Sequence, residues 1–388
     1  MKFEFATASR ILFGNGQRHE LASASAELGT LPMIVTGKNR ERAAALVGAI
    51  QESGMRCIQF TVPGEPTVSL MSEGVALARQ NRCDLFIGIG GGSVIDTTKA
   101  LAALLNNTEP VIAYLEVIGE GKPLLKPAAP SIAVPTTAGT GAEVTANAVL
   151  GSRKQRVKVS LRHQSMLPDL AIVDPELTYG MPPALTAATG LDALTQLLEA
   201  FVSKFSNPMT DLFCREGMTR VARSLARAVA DGFDPTARAD MALASLFSGM
   251  ALANSKLGAV HGFAGPMGGL IEAPHGVICA RLLPFVMAQN IRVLLREAHQ
   301  AQLDRYDQVA RVLTGNADAA ALDGVAWVRN LLPALDFPKL SDFGLKPEMF
   351  TQIVAMAQRA SSMGGNPVVL SEDELFQVLK NALGVEND

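Results

Sequence analysis

The sequence predicts an α/β unit with a parallel sheet, followed by an all-helical unit. Residues 1 to about 178 alternate short apolar runs with segments of helical periodicity, as βαβ units do. The apolar runs are nearly continuous, which is typical of strands that helices cover on both faces of a parallel sheet. From about residue 183 onward, helical periodicities are punctuated by Gly and Pro rather than by strands. We therefore predict domains at 1–180 and 181–388, the second with eight or nine helices.

Five buried strands are predicted in the first unit, and helical periodicity follows the first three of them. Because ligands of such proteins bind where two units meet, we expect a ligand site in the cleft between the halves. The predicted strands are LPMIVTG at 31–37, CIQFTV at 57–62, DLFIGIGGGS at 84–93, SIAVPTT at 131–137 and LAIVDPE at 170–176, and the helices lie at 40–54, 69–81 and 94–107.

Composition and charge argue against several classes of function. The 388 residues are 48% hydrophobic and 18% charged, so the chain has enough apolar side chains for large cores. A formal net charge of -3 and a pI near 6.0 give no electrostatic basis for binding nucleic acid or an anionic membrane. The N-terminus lacks the apolar run of a signal peptide, and no stretch approaches the roughly 20 apolar residues of a membrane span. We expect a cytoplasmic protein.

The cysteines are scattered along the chain and include no CxxC pair. This spacing favours reduced thiols, most of them buried, over a disulfide framework or a cysteine metal cluster. The four residues are Cys57, Cys83, Cys214 and Cys279.

Two glycine-rich turns follow predicted strands. IGIGGGSVIDTTKA at 87–100 places three glycines and a serine before a helix, where free backbone amides favour an anion such as a pyrophosphate. It lacks the GxGxxG spacing, so a sharp strand-to-helix turn is an alternative interpretation. PTTAGTGAEVT at 135–145 adds threonines and glycines after another strand. A single such loop is equally typical of a surface, but two at the carboxyl ends of parallel strands favour a dinucleotide.

A polar pair stands out in the apolar segment TGLDALTQLLEA at 189–200. Asp192 and Gln196 lie one helical turn apart on the same face, among leucines and alanines. Burying a carboxylate and an amide is costly unless a partner faces them. We therefore expect these two side chains to face a site.

Five motifs between residues 90 and 276 occur together and in a fixed order. They are GGGSVIDTTKA, PTTAGTGAEVT, IVDPELT, MPPALTAATGLDALT and VHGFAGPMGG…APHG. With the ILFGNG segment near the start, the whole chain closely resembles the iron-containing (group III) alcohol dehydrogenases. The resemblance implies a dehydroquinate synthase-like fold, with an N-terminal dinucleotide-binding domain, a helical metal and substrate domain, and a homodimer. It also implies hydride transfer between a nicotinamide and a small alcohol or carbonyl compound.

The resemblance implies cofactor contacts for individual residues of the first domain. Lys158 matches a lysine that reaches the cofactor ribose, although an exposed strand lysine is the alternative. The remaining residues are Gly91, Gly92 and Ser93 for the pyrophosphate, Asp96 just beyond them, and Thr136, Thr137 and Thr140 for the phosphates and the nicotinamide ribose.

The choice between NAD and NADP is indicated by the residues after the first predicted strand. NAD-preferring relatives often carry an Asp at the position of Gly37, where it binds the ribose 2′-hydroxyl. Here Gly37 is followed by Lys38 and Arg40. The missing carboxylate and the added cations favour a 2′-phosphate over an ordinary basic helix start, so we expect NADP rather than NAD.

The resemblance also implies a metal site in the helical domain. The family uses an Asp and a His one turn apart and then two further histidines. Asp192, Gln196, His261 and His275 match these positions, so Gln replaces one histidine, and Gly265 replaces another frequent histidine. Two imidazoles and a carboxylate suit Fe(II) or Zn(II). The alternative is a metal-free site of the maleylacetate reductase type, although those relatives usually also lose the Asp.

Asp192, His261 and His275 are the expected catalytic residues, with the metal polarising the substrate oxygen. Because His275 follows Pro274, it is predicted to begin a helix, whose N-terminus disfavours protonation of the imidazole. The proton route stays open between water, the ribose hydroxyl and His275. The substrate is an aldehyde, a ketone or an oxo acid.

Two rival functions are weaker. A sugar-phosphate lyase on this scaffold needs Lys and Arg around the site, and segments 189–200 and 259–276 contain none. A non-catalytic nucleotide-binding relative would explain Gln196 and Gly265. It would not explain why Asp192 and the two histidines are present.

Overall fold

The computed structural model describes residues 2–116, 118–152 and 157–384. Their contacts divide the chain into two compact units. One unit is Ala6–Tyr179, and the other contains the residues from Gly180 onward together with those before Ala6.

The first unit contains a parallel sheet, as predicted. Among the described residues, six strands lie in the order β1-β8-β5-β4-β2-β3, and every neighbouring pair is parallel. β6 and β7 form a separate antiparallel ribbon. The elements are β1 (Arg10–Phe13), α1 (Leu21–Leu28), β2 (Pro32–Gly37), α2 (Glu41–Glu52), β3 (Ile58–Val62), α3 (Val68–Asn81), β4 (Leu85–Gly90), α4 (Gly92–Leu105), β5 (Ser131–Pro135), β6 (Asn147–Ser152), β7 (Val157–Arg162) and β8 (Leu170–Val173).

Helices cover both faces of this sheet. On β2, the side chains of Met33 and Val35 join one buried cluster with α3 and α4, while Ile34 between them joins another with α1 and α2. This alternation is the period of two that a strand imposes on its side chains. Since both faces are covered, the central strands contain few polar residues, which explains why their apolar runs were recognisable.

The predicted strands correspond to β2, β3, β4, β5 and β8, but three of them end earlier than expected. β4 stops at Gly90, β5 at Pro135 and β8 at Val173, because the glycines, threonines and acidic residues that follow form turns. The helix expected from residue 94 already begins at Gly92. β1 and α1, which are short, and the ribbon of β6 and β7 were not predicted.

Among its described residues, the second unit contains nine α-helices, which confirms the helical prediction. α5 is central to it and packs against α6, α7 and α9. The helices are α5 (Pro183–Val202), α6 (Pro208–Ala230), α7 (Pro235–Asn254), α8 (Ala259–Leu270), α9 (His275–Arg296), α10 (Gln300–Thr314), α11 (Ala321–Ala334), α12 (Phe350–Arg359) and α13 (Glu372–Leu383).

Helix α9 is long and apolar enough to cross a membrane by length and composition alone. However, 78% of its apolar 18-residue window is buried inside the structure. A core helix has the same composition, so α9 is weak evidence for a membrane span.

Glycines in β4 bring α4 against the sheet. A Cβ added at Gly88 would overlap Thr98 Oγ1, and one added at Gly90 would lie 2.6 Å from Val94 Cγ2. Larger residues at these positions would push the start of α4 away from the end of β4.

We predict that Gly88→Ala lowers the free energy of unfolding of the first unit by about 1–3 kcal/mol, because overpacking forces backbone shifts. Gly48→Ala is the matched control. Gly48 lies inside α2, and an added Cβ there meets no atom within 4 Å, so alanine should raise the free energy of unfolding by about 0.5–1 kcal/mol. Urea titrations followed by circular dichroism measure both changes. A Gly88→Ala variant as stable as the wild type would contradict the packing argument.

Candidate functional site

Helix α5 buries Asp192 and Gln196 side by side, as predicted. Both residues are only 3% exposed, and Gln196 Nε2 donates to Asp192 Oδ2 at 3.4 Å. Within the described part of the chain, Asp192 Oδ1 accepts no hydrogen bond. The ring nitrogens His261 Nε2 and His275 Nε2 lie 3.4 and 3.7 Å from it. A buried carboxylate oxygen without a hydrogen bond is unusual, and its position indicates a missing partner.

Glu199 fixes the orientation of His261 on α8. Glu199 lies on α5, and its Oε2 is 2.6 Å from His261 Nδ1. Its Oε1 accepts the backbone N–H of Val260 at 2.6 Å. Because Nδ1 donates to this carboxylate, Nε2 is directed towards Asp192, as in metal-binding histidines held by a carboxylate.

His275 is the first residue of α9, in agreement with the predicted helix start. A Cβ added at the next residue, Gly276, would overlap the carbonyl oxygen of Ala188 on α5, so only glycine allows α9 to begin this close to α5. The His275 side chain is 39% exposed, whereas that of His261 is 8% exposed. His275 is therefore the histidine that a solute reaches more easily.

Sequence reasoning missed one member of this cluster, Cys279. It lies one turn after His275 on α9, is fully buried, and places Sγ 3.6 Å from His275 Nε2 and 3.7 Å from His261 Nε2. The donor atoms of Asp192, His261, His275 and Cys279 all lie within 4.8 Å of one another. The signal in the sequence was the spacing of His275 and Cys279 in HGVIC, which lie one helical turn apart as Asp192 and Gln196 do.

The amide of Gln196 is held by Ser248 on α7. Gln196 Oε1 accepts the Ser248 hydroxyl at 2.9 Å, while Nε2 lies towards Asp192. The amide would have to turn over for its oxygen to face the cluster. Its role as a metal ligand stays a prediction.

The residues present fit a divalent metal ion. A carboxylate oxygen, two imidazole nitrogens and a thiol are the donor types that Zn(II) and Fe(II) accept. The four donor atoms lie within 4.8 Å of one another, and the Asp192 oxygen that faces the imidazoles accepts no hydrogen bond within the described residues.

Charges within the cluster shift the pKa values of its members. Burial raises the pKa of Asp192, but attraction to His275 and His261 outweighs burial and lowers it below the usual value. Burial lowers the pKa of His261, yet Cys279, Asp192 and Glu199 raise it well above the ordinary value. Attraction to Cys279 and Asp192 also raises the pKa of His275 against burial. The helix N-terminus is expected to disfavour protonation of His275, whereas attraction to Cys279 and Asp192 acts in the opposite direction and raises its pKa.

The two glycine-rich turns meet at the carboxyl ends of β4 and β5. Thr136 N donates to Gly90 O at 2.9 Å, which links the two turns. A Cβ at Gly91 would lie 3.2 Å from Thr137 Oγ1, and one at Gly92 would lie 2.9 Å from Thr140 Oγ1.

The start of α4 fits an anion. Gly91 is its N-cap, so no side chain there accepts a hydrogen bond from the first turn. Ser93 lies in that turn, and its carbonyl oxygen accepts the Thr97 hydroxyl at 2.8 Å. Helix amides beside two threonines are suited to phosphate oxygens. The cofactor contacts expected here stay predictions.

Asp96 holds the two turns together through Lys99. Asp96 Oδ1 lies 3.1 Å from Lys99 Nζ, and Oδ2 accepts the Val149 N–H at 2.9 Å. Lys99 is fully buried and donates to Ala142 O and Thr145 Oγ1, both at 2.8 Å. The structure thus gives Asp96 a supporting role beneath the turns, and its predicted contact with the cofactor is untested.

The end of β2 has space and positive charge. A Cβ added at Gly37 would lie 3.8 Å from Val94 Cγ2, which is an ordinary contact. Lys38 is exposed, and Arg40 Nε donates to Thr61 Oγ1 at 2.9 Å.

Lys158 on β7 pairs with Glu65, whose Oε1 lies 2.5 Å from Lys158 Nζ. This ion pair would have to open for Lys158 to contact a cofactor ribose, so that prediction is also untested.

A sheet with glycine-rich turns at its strand ends and a helical unit with a metal-type donor cluster together define a class of nucleotide-dependent oxidoreductases. The model of the iron-containing alcohol dehydrogenase family matches residues 8–175, and the model of the C-terminal domain of the Fe-containing alcohol dehydrogenase family matches residues 186–383. The chain belongs to the iron-containing alcohol dehydrogenase family and is an oxidoreductase. Membership implies a nicotinamide cofactor and a metal.

Curated relatives and solved structures agree with this assignment. A probable alcohol dehydrogenase, EutG, of Salmonella typhimurium is 36% identical over 329 residues, which are 84% of this chain and 80% of that protein. A 1,3-propanediol dehydrogenase of Klebsiella pneumoniae is 34% identical over 340 residues, 86% of this chain and 85% of that protein. The crystal structure of a 1,3-propanediol oxidoreductase superposes with a TM-score of 0.91 at 32% identity, over 98% of this chain and 100% of the other.

Glu143, in the second glycine-rich turn, is predicted to make stability depend on pH. It is only 3% exposed, and burial raises its pKa from 4.5 to about 7, against the effects of a backbone hydrogen bond and Lys99. Between these two values the folded state binds more protons than the unfolded state, so stability falls as pH rises through the window. The whole shift in pKa, from 4.5 to about 7, corresponds to about 3 kcal/mol of folding stability.

Glu143→Gln removes this titration. Relative to the wild type, the variant should therefore gain up to about 3 kcal/mol of stability as pH rises from about 4 to about 8. Denaturant unfolding across this range measures the difference, with Glu→Gln at exposed Glu52 as the control. Parallel stability curves for Glu143→Gln and the wild type would contradict the prediction.

Proposed function

We propose that this protein is an NAD(P)-dependent dehydrogenase that interconverts a small alcohol and its aldehyde or ketone. The carbonyl would be polarised by a divalent metal, Fe(II) or Zn(II), held by Asp192, His261 and His275. One observation carries the metal part: the donor cluster surrounds a buried carboxylate oxygen that accepts no hydrogen bond within the described residues. The reaction class follows from the family, and relatives named for alcohols and 1,3-propanediol support a small substrate.

In this proposal the two domains have separate tasks. Residues 1–180 bind the dinucleotide, and residues 181–388 hold the metal and the substrate. The strand-end turns support the first assignment, and the donor cluster on α5, α8 and α9 supports the second. A homodimer and a cytoplasmic location complete the proposal.

The cofactor is NADP or NAD, with NADP favoured because cations and no carboxylate follow β2. Its nicotinamide supplies or accepts the hydride when bound. The backbone amides at the start of α4 hold the pyrophosphate, the threonine hydroxyls bind phosphate and ribose oxygens, and the charged residues Lys38, Asp96 and Lys158 complete the site. The remaining proposed residues are Gly37, Gly91, Gly92, Ser93, Thr136, Thr137 and Thr140.

The helical unit provides orientation and charge for the reaction. A bound divalent cation supplies Lewis-acid polarisation of a substrate oxygen. Asp192 balances the positive charge, and Glu199 keeps Nε2 of His261 facing the cluster. Gly265 lies one turn after His261 on α8, and an added Cβ there meets no atom within 4 Å, which leaves room for substrate on that face. The partly exposed side of His275 leaves the cluster open to solvent, so a proton can reach it through water.

The rival functions receive less support. The named relatives are alcohol dehydrogenases, so a metal-independent oxo-acid reductase of the maleylacetate reductase type is not favoured. A non-catalytic role does not account for four metal-type donor atoms within 4.8 Å of one another.

The metal part of the proposal predicts that activity depends on a bound cation. With NADPH and a panel of small aldehydes, ketones and oxo acids, chelation should lower kcat/KM by about 100-fold or more, since Lewis-acid polarisation contributes several kcal/mol. Adding Zn(II) or Fe(II) should restore the activity. Asp192→Asn should behave like the chelated enzyme, whereas Glu52→Gln should not. Turnover that chelation leaves unchanged would refute the metal role, and no turnover of any panel member by metal-loaded protein would refute the dehydrogenase.

The cofactor assignment predicts that Gly37→Asp shifts the preference towards NADH. A carboxylate there accepts hydrogen bonds from the 2′-hydroxyl and repels a 2′-phosphate, and the added Cβ makes only an ordinary contact with Val94. We expect the ratio of kcat/KM for NADPH to that for NADH to fall by about tenfold or more, while Gly48→Ala leaves it unchanged. A wild type that already prefers NADH would contradict the NADP assignment.

A further inference from the structure

We propose that Cys279 is a metal ligand and takes the coordination position that would otherwise fall to Gln196. The site would then be formed by Asp192, His261, His275 and Cys279. This inference rests on the metal part of the proposed function and adds a residue that the family pattern did not imply.

The distances between donor atoms support a shared metal. With metal–sulfur bonds of about 2.3 Å and metal–nitrogen bonds of about 2.0–2.1 Å, tetrahedral geometry places sulfur and nitrogen donors about 3.5–3.6 Å apart. Cys279 Sγ lies 3.6 Å from His275 Nε2 and 3.7 Å from His261 Nε2. Nitrogen and oxygen donors should be about 3.3–3.4 Å apart. The distances from Asp192 Oδ1 to the same two nitrogens are 3.4 and 3.7 Å.

The helix geometry explains why the thiol reaches the site. His275 and Cys279 are four residues apart on α9, so their side chains lie on the same face. Cys279 is fully buried, and its sulfur contacts both imidazole nitrogens. Cys214 on α6 is equally buried, but it is not among the residues whose donor atoms converge.

Two further observations support a cation in the cluster and Cys279, rather than Gln196, as its fourth ligand. Asp192 Oδ1 is buried, lies 3.4 and 3.7 Å from the two imidazole nitrogens and accepts no hydrogen bond within the described chain, as expected of an oxygen that binds a cation. The Gln196 oxygen accepts the Ser248 hydroxyl, and its amide nitrogen faces Asp192. An amide N–H cannot coordinate a cation, so Gln196 in this orientation supplies no ligand. Cys279 then completes a set of four donors with Asp192, His261 and His275.

A thiolate ligand changes which metal the site favours. Binding breaks the S–H bond of Cys279, releases the proton to solvent and forms one sulfur–metal bond. A thiolate is a softer ligand than an oxygen or nitrogen donor. A site that contains one therefore favours Zn(II) more than a site with only oxygen and nitrogen ligands does. The charges of Asp192 and the Cys279 thiolate together balance a divalent cation.

Cobalt(II) titration of the full-length, metal-stripped protein tests this assignment. Wild type should bind one Co(II) per chain and show a thiolate-to-cobalt charge-transfer band in the near ultraviolet. Cys279→Ser should lose the band and bind Co(II) about 100-fold more weakly or worse, since even indirect contacts to ligands change affinity by 10–100-fold. Gln196→Ala should keep the band and lose less than about tenfold in affinity. Cys214→Ser is the control for loss of a buried thiol and should keep both.

Three results would overturn the assignment: a cobalt-loaded wild type without the band, a Cys279→Ser variant that keeps it, or a Gln196→Ala variant with the larger loss of affinity. The charge-transfer band is measured on the wild-type protein, so it tests whether a thiolate binds the metal even if Cys279→Ser misfolds. If Co(II) binds without the band, only the role of Cys279 fails. If wild type binds no Co(II), the metal part of the proposed function fails with it.

Discussion

The buried carboxylate of Asp192 is the constraint around which the helical unit is arranged. A charge in the middle of an apolar helix is tolerated only if positive or ligating groups surround it. Helices α8 and α9 each bring a histidine to it, and Glu199, on the same helix as Asp192, holds one of those rings in place. The cluster therefore depends on the way α5 packs against its neighbours.

Close backbone approaches position both candidate sites. At Gly276 a side chain would collide with α5, and at Gly92 it would press on Thr140. The first approach sets where His275 meets Asp192, and the second brings a threonine hydroxyl to the N-terminus of α4. In each unit, glycine allows a helix to begin beside polar groups that chemistry requires. The donor cluster around Asp192 and the anion site at the start of α4 thus both depend on a glycine at a close backbone contact.

Periodicity and residue type predicted the parallel sheet, the helical unit and the burial of Asp192 beside Gln196, because these follow from local patterns. Cys279 was missed because sequence spacing does not reveal which helix faces converge, and a lone cysteine normally indicates packing. The rise in the pKa of His275 was not foreseen, because the helix terminus is visible in the sequence whereas the contact of its ring with Cys279 appears only in the fold. Likewise, nothing local indicated that Lys158 pairs with Glu65 or that Ser248 holds the Gln196 amide.

Anomalous diffraction at the zinc absorption edge, from crystals grown with Zn(II), tests the central claim most directly. The account predicts one strong peak per chain, enclosed by Asp192, His261, His275 and Cys279, with a sulfur ligand at about 2.3 Å. A peak coordinated by Gln196, with Cys279 outside bonding distance, would reject the ligand set proposed here. The absence of any peak in this cluster at full zinc saturation would contradict the metal site itself.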